Sequence, residues 1–228
     1  MLAEEDLAAI PDRYARRGDT GIYSLLRQEA MLAHQERTAK IAALIARKFR
    51  SVEGLKLADL GCGTGGHLLD FIRLGFTPSN LIGLELLPER IARARELLPQ
   101  QVTLYAGDAV QAPIEAESLD IVFQSVVFSS LLSADLQQRV ADRMMAWLRP
   151  GGAVLWYDFT YDNPRNPDVR GVTAKRIGEL FKGHPVESQR VTLAPPLARR
   201  VIALGPLAHQ ALHSMPFLRT HVLAWITK

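Results

Sequence analysis

Residues 58–67 read "ADLGCGTGGH": Gly61, Gly63, Gly65 and Gly66 fall within six positions, directly behind the apolar run that ends at Leu60. Glycine admits backbone angles and a close approach of other atoms that a Cβ obstructs. A glycine-rich turn between a strand and a helix can therefore cradle a ligand on free amide hydrogens, or merely make a tight connection. Two spacings run through the stretch. Gly61-x-Gly63-x-x-Gly66 is one, and Asp59-x-Gly61-x-Gly63-x-Gly65, which adds a carboxylate at the strand end, is the other. The flanking chain decides between them.

Downstream, strand-like and helix-like segments alternate. "LKLADL" (55–60), a helix over about 64–74, "NLIGLE" (80–85) and a helix from Pro88 to Leu98 lead to "VTLYAG" (102–107), "LDIVFQ" (119–124), a helix over about 134–148 and "GAVLWYDF" (152–159). Short apolar strands separated by amphipathic helices predict a parallel sheet covered on both faces, a doubly wound α/β domain. Upstream, an acidic arm precedes a long helical pattern over 22–49, with Ile22, Leu25, Leu32, Ala39 and Ala43 at helical spacing and Asp19 or Thr20 as cap. Gly54 closes this prelude, dividing a helical arm or cap (1–54) from the α/β domain (55–228).

Composition bounds the reading. A chain of 228 residues with 48% hydrophobic and 22% charged residues is long enough to bury one substantial core. The net charge of +3 is spread over short clusters such as Arg16-Arg17, Arg47-Lys48 and Arg199-Arg200. These read as solvated faces rather than a nucleic-acid stripe. The single cysteine, Cys62, cannot form an intramolecular disulfide. The opening "MLAEEDLAAIPDR" is acidic where a signal peptide is basic, and no apolar run approaches the roughly 20 residues of a membrane span. The expected location is cytoplasmic.

Doubly wound sheets bind ligands beyond the carboxyl ends of their strands. After the second strand stands Glu85, 24 residues beyond Gly61, where a carboxylate can accept from two ribose hydroxyls and would repel a 2′-phosphate. NAD and S-adenosylmethionine both carry that ribose. After the third strand, Asp108 can accept the exocyclic amine of adenine while the amide of Ala109 meets a ring nitrogen. Asp59 adds a carboxylate where the ligand's charged tail would lie. It would repel a pyrophosphate and attract the ammonium of a methionine moiety. The extra charge favours S-adenosylmethionine over a nicotinamide dinucleotide.

"LADLGCGTG", Glu85, "GDA", "LDIVFQS" and "LRPGGAVLWYDF" together resemble the class I S-adenosylmethionine-dependent methyltransferases over roughly residues 55–160. The resemblance implies a Rossmann-like seven-stranded sheet whose last strand is antiparallel, with "VESQRVTLA" (186–194) and "LRTHVLAWITK" (218–228) as the final two strands. By the same resemblance Asp59, Gly61, Cys62, Gly63, Thr64 and Gly65 hold the methionine part of the donor. Glu85 with Leu86 holds the ribose, Asp108 with Ala109 the adenine, and Gln124 and Ser125 line the methionine side. Cys62 is read as a small turn residue, not a nucleophile.

Methyl transfer from a sulfonium is an in-line displacement, needing a general base only when the acceptor is a poor nucleophile. "QSVVFSS" after the fourth strand lacks the Asn/Asp-Pro-Pro-aromatic motif of enzymes that act on base amines. The expected acceptor is thus a small molecule, or one linked to a sugar or lipid. Asp158 and His67 are the candidate bases; His184 reads as an exposed loop residue. Candidate substrate contacts are Tyr14 and Tyr23 in the arm, which could close the site or pack the long helix. Phe128, with Ser129 and Ser130, follows the fourth strand; Tyr161, Asn163, Arg165, Asn166 and Arg170 lie in the turn-rich "YDNPRNPDVRG" (161–171).

Residues 195–217 interrupt the link between the last two strands. Leu197, Val201 and Leu204, then Ala208, Ala211, Leu212 and Met215, predict two short helices around Gly205-Pro206. This insertion could cap the site, form a dimer face, or rest on a lipid surface through Arg199 and Arg200; capping is the preferred reading. His209 and His213 have the spacing of a zinc pair but lack the partnering Glu and a third ligand, so no metal is expected. The chain is expected to act as a monomer or homodimer. Two rivals remain: a nicotinamide-dependent oxidoreductase on the same glycine turn, and a catalytically silent methyltransferase-like subunit that binds the donor.

Overall fold

The computed structural model describes residues 2–17, 21, 24–164 and 166–228. Seven strands form one sheet: β1 (Leu57–Leu60), β2 (Leu81–Glu85), β3 (Thr103–Ala106), β4 (Leu119–Ser125), β5 (Leu148–Phe159), β6 (Val186–Leu193) and β7 (Arg219–Thr227), in the order β3-β2-β1-β4-β5-β7-β6. β1 to β5 pair in parallel, whereas β7 is antiparallel to both β5 and β6. The strand order reverses between β1 and β4, which leaves a crevice beyond their carboxyl ends.

The helices are α1 (Ala3–Arg17), α2 (Gln28–Lys48), α3 (Gly66–Arg73), α4 (Pro88–Leu97), α5 (Ala134–Trp147), α6 (Ala174–Leu180), α7 (Pro195–Val201) and α8 (Pro206–His213). Alternation of side chains along the strands divides the core in two. On one face Val122, Val154 and Trp156 pack with Met144 and Trp147 of α5 and Ile177 of α6; on the other Leu57, Phe123 and Leu155 pack with Ile41 and Leu44 of α2, Phe71 of α3 and Ile91 of α4. β1 is buried at every residue, as a strand covered on both faces should be.

β5 begins at Leu148 rather than 152 and β1 at Leu57 rather than 55, and two helix starts depart from the expected ones for local reasons. α2 starts at Gln28, not near residue 22, and Leu25 is exposed rather than on a core-facing stripe. The turn before it is closed by Arg27 N donating to Ser24 O at 3.0 Å and Leu26 N to Ser24 Oγ at 3.3 Å, so Ser24 competes with helix geometry. Asp19, Thr20 and Ile22 lie outside the described residues. α3 begins two residues late because Gly65, its N-cap, is left-handed at φ +89°. α6 was not anticipated; Thr173 caps it, its Oγ1 accepting from Arg176 N at 3.2 Å. The insertion does hold two short helices, α7 and α8, on either side of Gly205.

Candidate active site

The glycine turn leaves β1 at the strand reversal. Gly61 (φ +70°), Gly63 (φ +56°) and Gly65 all lie in the left-handed region. A Cβ on Gly61 would stand 2.5 Å from Val127 Cγ2, whereas one on Gly63 would meet nothing within 4 Å. The loop therefore packs tightly on its sheet side and stays open on the other. Glu85, at the end of β2, fastens it: one carboxylate oxygen accepts from Gly63 N at 2.9 Å and the other from Leu87 N at 3.0 Å.

Beyond these strand ends lies a narrow cleft of about 110 Å³, walled by Gly61, Glu85, Leu86, Asp108, Ala109 and Ser125 from the sheet. Leu7, Ile10 and Tyr14 of α1 close its other side. The arm is therefore a wall of the site. A buried clasp holds it: Asp6, fully buried, pairs with Arg13 and accepts from Ser133 N at 2.7 Å, while Arg13 Nη1 donates to Ser130 O at 2.8 Å. The Arg90 guanidinium stacks 4.3 Å over the Tyr14 ring. Asp108 caps the short turn after β3 by accepting from Val110 N at 2.9 Å. Val126, at the end of β4, sits at φ +61°, a strained angle for a β-branched residue.

Asp59 is the anomaly. It is fully buried, and neither carboxylate oxygen has a hydrogen-bond partner among the described residues. Burial, reinforced by the nearby Glu85 charge and only partly offset by Arg37, pushes its carboxyl well above the usual aspartate range. Arg37 comes from α2, and its own Nε is buried and unpartnered. Its guanidinium lies 5.3 Å over the Tyr157 ring and hydrogen-bonds His34 Nδ1 at 3.2 Å. Sequence reasoning missed Arg37; only the approach of its charge to Asp59 from α2 reveals it.

Around Arg37 gathers a polar cluster on the α2 side of the sheet. Tyr157 Oη lies 2.9 Å from Thr192 Oγ1, the His221 ring stacks on Tyr157 at 5.0 Å, and Thr192 sits at φ +60°. Glu36 of α2 accepts from Thr192 N through both oxygens at 3.1 Å and lies 2.7 Å from His213 Nε2 of α8. The insertion is thus tied to α2 and β6. His209 faces His213 in a stack 6.2 Å apart, and the described residues contain no group of three or more His, Cys, Asp or Glu fit to hold a metal.

The predicted residues divide accordingly. Tyr14, Gly61, Glu85, Leu86, Asp108, Ala109 and Ser125 converge on the cleft, with Gly63 and Asp59 beside it. Gln124 is buried and holds the turn after β4: its Nε2 donates to Tyr157 O at 3.3 Å and its Oε1 accepts from Val127 N at 3.1 Å. Cys62 is buried, with burial raising its thiol pKa, which keeps it an unreactive thiol. Phe128 is fully buried against Trp156, ring centroids 4.5 Å apart, and so is core rather than pocket wall. Tyr161 is exposed and hydrogen-bonds Arg190 at 2.8 Å beside a separate polar hollow of about 290 Å³, while Asn163 is exposed in the loop. Tyr23 and Arg165 lie outside the described residues. His184 is part-buried, its Nδ1 3.1 Å from Thr227 O.

Of the candidate bases, Asp158 is buried and accepts from Ser129 N at 3.1 Å and Phe159 N at 2.9 Å, tying the turn after β4 to β5; burial lifts its pKa to about 7. His67 packs edge-on against Phe123 at 5.2 Å, and burial, helped by the Arg37 charge, lowers its pKa to about 3. Such an imidazole is a poor proton acceptor at neutral pH.

Residues 57–152 match the model of a methyltransferase domain. Over that stretch the chain carries a methyltransferase domain. It is 30% identical over 181 residues to a sterol 24-C-methyltransferase of Aspergillus fumigatus, covering 75% of this chain and 42% of that protein. Against the Debaryomyces hansenii sterol 24-C-methyltransferase it is 29% identical over 132 residues, 56% of this chain and 34% of that one. The chain thus spans less than half the length of these relatives. Its fold is similar to a crystal structure of an S-adenosylmethionine-dependent methyltransferase from Mesorhizobium loti, with TM-score 0.59, 20% identity and coverage of 83% and 98% of the two chains. S-adenosylmethionine, the donor named for the structural relatives, fits the residues present: open space at Gly63 and a buried Asp59 carboxyl with no hydrogen-bond partner among the described residues suit a cationic, close-lying ligand.

Proposed function

We propose that this protein transfers a methyl group from S-adenosylmethionine to a lipid-type small-molecule acceptor. The observation that carries the reading is the unpartnered Asp59 carboxylate beside a glycine turn that leaves room for a ligand backbone. When bound, the donor supplies an electrophilic methyl on a sulfonium. Asp59 and Arg37 place a carboxyl and a guanidinium, each with buried atoms that have no partner among the described residues, where an amino-acid tail's ammonium and carboxylate would engage them, the ammonium drawing Asp59 to its ionised form. Glu85, besides bracing the glycine turn, retains lone pairs for ribose hydroxyls, and Asp108 with the Ala109 amide reads the adenine edge. Gly61, Leu86 and Ser125 complete the cleft wall, Cys62, Thr64 and Gly65 continue the turn that leads from it into α3, and Leu7, Ile10 and Tyr14 of the α1 cap exclude water from the cleft.

The acceptor side is the polar cluster under α2. His67 and His221 are kept neutral by burial, and the Tyr157 phenol is kept protonated. These groups orient an acceptor by hydrogen bonding rather than abstract a proton, and Asp158 acts as a positioning residue for the turn it ties. Kinship to sterol C-methyltransferases supports an apolar acceptor over a sugar-linked one. No helix among the described residues is long and apolar enough to cross a membrane. We assign the protein to the cytoplasm, as a monomer or homodimer that meets its acceptor at a surface.

The test incubates the protein with methyl-labelled donor and a total membrane lipid extract. Label partitioning into the organic phase, with equimolar S-adenosylhomocysteine released, is the expected result. Label confined to water-soluble products of a cytosolic extract would refute the lipid-type acceptor.

A further inference from the structure

The insertion between β6 and β7 has a composition and exposure that the donor and acceptor sites do not use. α8, "PLAHQALH", buries none of its residues although half of them are apolar. Leu204 is 77% exposed, Leu207 83% and Phe217 73%; Leu26, on the turn that leads into α2, is 98% exposed. Leu207 lies on α8, which contacts both the 3₁₀ turn over Ile202–Leu204 and that over Pro216–Leu218, while α7 contacts α2 near the turn that carries Leu26 and the Arg199 charge acts on Glu29 in the first turn of α2. Isolated exposed leucines are ordinary on a protein surface, but a clustered apolar tip is not.

Charge says what covers it. From Ser188 to Lys228 the chain has no Asp or Glu, while Arg190, Arg199, Arg200, Arg219 and Lys228 are all basic. Arg199 and Arg200 are exposed in the last turn of α7, immediately before the apolar tip around Gly205. A second copy of the chain is a poor occupant, because a two-fold contact here would set these arginines against their own symmetry mates, and the acid that Arg199 acts on, Glu29, is already paired with Arg27. An anionic lipid surface answers both features: acyl chains take the leucines and phenylalanine, and phosphates take the guanidiniums.

We infer that the 195–217 insertion, with the turn before α2, is a foot that docks the protein on membranes rich in anionic phospholipid. It stands on surface chemistry alone and does not rest on the acceptor assignment. The foot is placed usefully for one: His213 of α8 meets Glu36 of α2, so the membrane-facing helix roofs the polar cluster that includes Thr192 and Tyr157.

The experiment is vesicle co-sedimentation of the full chain with phosphatidylcholine alone and with phosphatidylcholine containing phosphatidylglycerol, comparing wild type, Leu207→Glu, Phe217→Glu and Arg199→Gln/Arg200→Gln. Wild type should bind the anionic vesicles in a salt-sensitive way. Removing both arginines should weaken this by about 30-fold and each apolar-to-Glu change by roughly 10-fold or more, with melting temperature and S-adenosylhomocysteine binding unchanged because the altered side chains are exposed. Failure of wild type to bind anionic vesicles, or binding that survives Leu207→Glu and Phe217→Glu, overturns the inference. So does a concentration-dependent dimer in sedimentation velocity that Leu207→Glu dissociates while vesicles remain unbound.

Discussion

Replacing Asp59 by Asn should make the ligand-free protein more stable and the donor site worse. The carboxyl is fully buried with no hydrogen-bond partner among the described residues, and burial raises its pKa well above the usual aspartate range. A carboxyl whose folded-state pKa is raised holds its proton longer in the folded state than in the unfolded state. Stability is therefore undiminished below the unfolded pKa and falls as pH rises from there through the folded pKa, by about 1.4 kcal/mol per pH unit. Asn occupies the same volume without an ionisable group, so that penalty vanishes at neutral pH. A gain of about 1–3 kcal/mol is expected, or roughly 2–4 °C in Tm per kcal/mol for a domain this size.

Donor affinity should move the other way. Loss of a charge-assisted hydrogen bond to the ammonium is worth about 1.5–3 kcal/mol, or about 10- to 150-fold in the Kd for S-adenosylhomocysteine. Binding of 5′-methylthioadenosine, which has no amino-acid tail, should be unaffected. Arg37→Met should show the same tail-dependent loss. Thermal melting across pH together with calorimetric titration of both nucleosides reads all of this. An Asp59→Asn variant that is less stable at pH 7, or that loses both nucleosides equally, would refute the reasoning.

Gly61→Ala places a methyl 2.5 Å from Val127 Cγ2 at φ +70°, so a destabilisation of about 1–3 kcal/mol and loss of measurable S-adenosylhomocysteine binding are expected by denaturant melt and calorimetry. Asp158, with its pKa lifted to about 7, should contribute a loss of stability of order 4 kcal/mol as pH rises from about 4 to 7, and Asp158→Asn should flatten that part of the stability–pH curve. The same variant should keep its kcat within about tenfold, since the residue positions a turn; a loss beyond about 100-fold, the scale of a missing general base, would make it catalytic. Truncating Asp6 or Arg13 alone should cost about 3–5 kcal/mol, whereas Asp6→Leu with Arg13→Met together should cost less than either, measured by urea unfolding.

The α/β order was legible because each parallel strand is a short apolar run, and the candidate donor residues lie at or just beyond the strand ends. Asp59 and Glu85 near the ends of β1 and β2, and Gly61 and Asp108 just beyond β1 and β3, could be picked out from the strand pattern and the family resemblance, since a parallel sheet brings its strand ends to one edge. Arg37, Glu36, Thr192 and His221 were not legible as a group: they come from α2, β6 and β7, and only tertiary packing brings them together. Phe128 went astray for a related reason. Its position after β4 suited a pocket wall, but the 3₁₀ turn over Phe128–Ser130 swings the ring into the core against Trp156. Tyr161 follows β5, yet its chain bends towards β6, where Arg190 holds its hydroxyl. The start of α2 was misplaced because a serine turn outweighed helical periodicity at Leu25.

The central claim is that the turn at 59–65 holds S-adenosylmethionine, and calorimetric titration of the purified protein with S-adenosylhomocysteine and with NAD tests it most directly. The account predicts saturable one-to-one binding of S-adenosylhomocysteine, weakened by Asp108→Ala, and no heat from NAD. Saturable binding of NAD with none of S-adenosylhomocysteine would contradict it and return the turn to its dinucleotide reading.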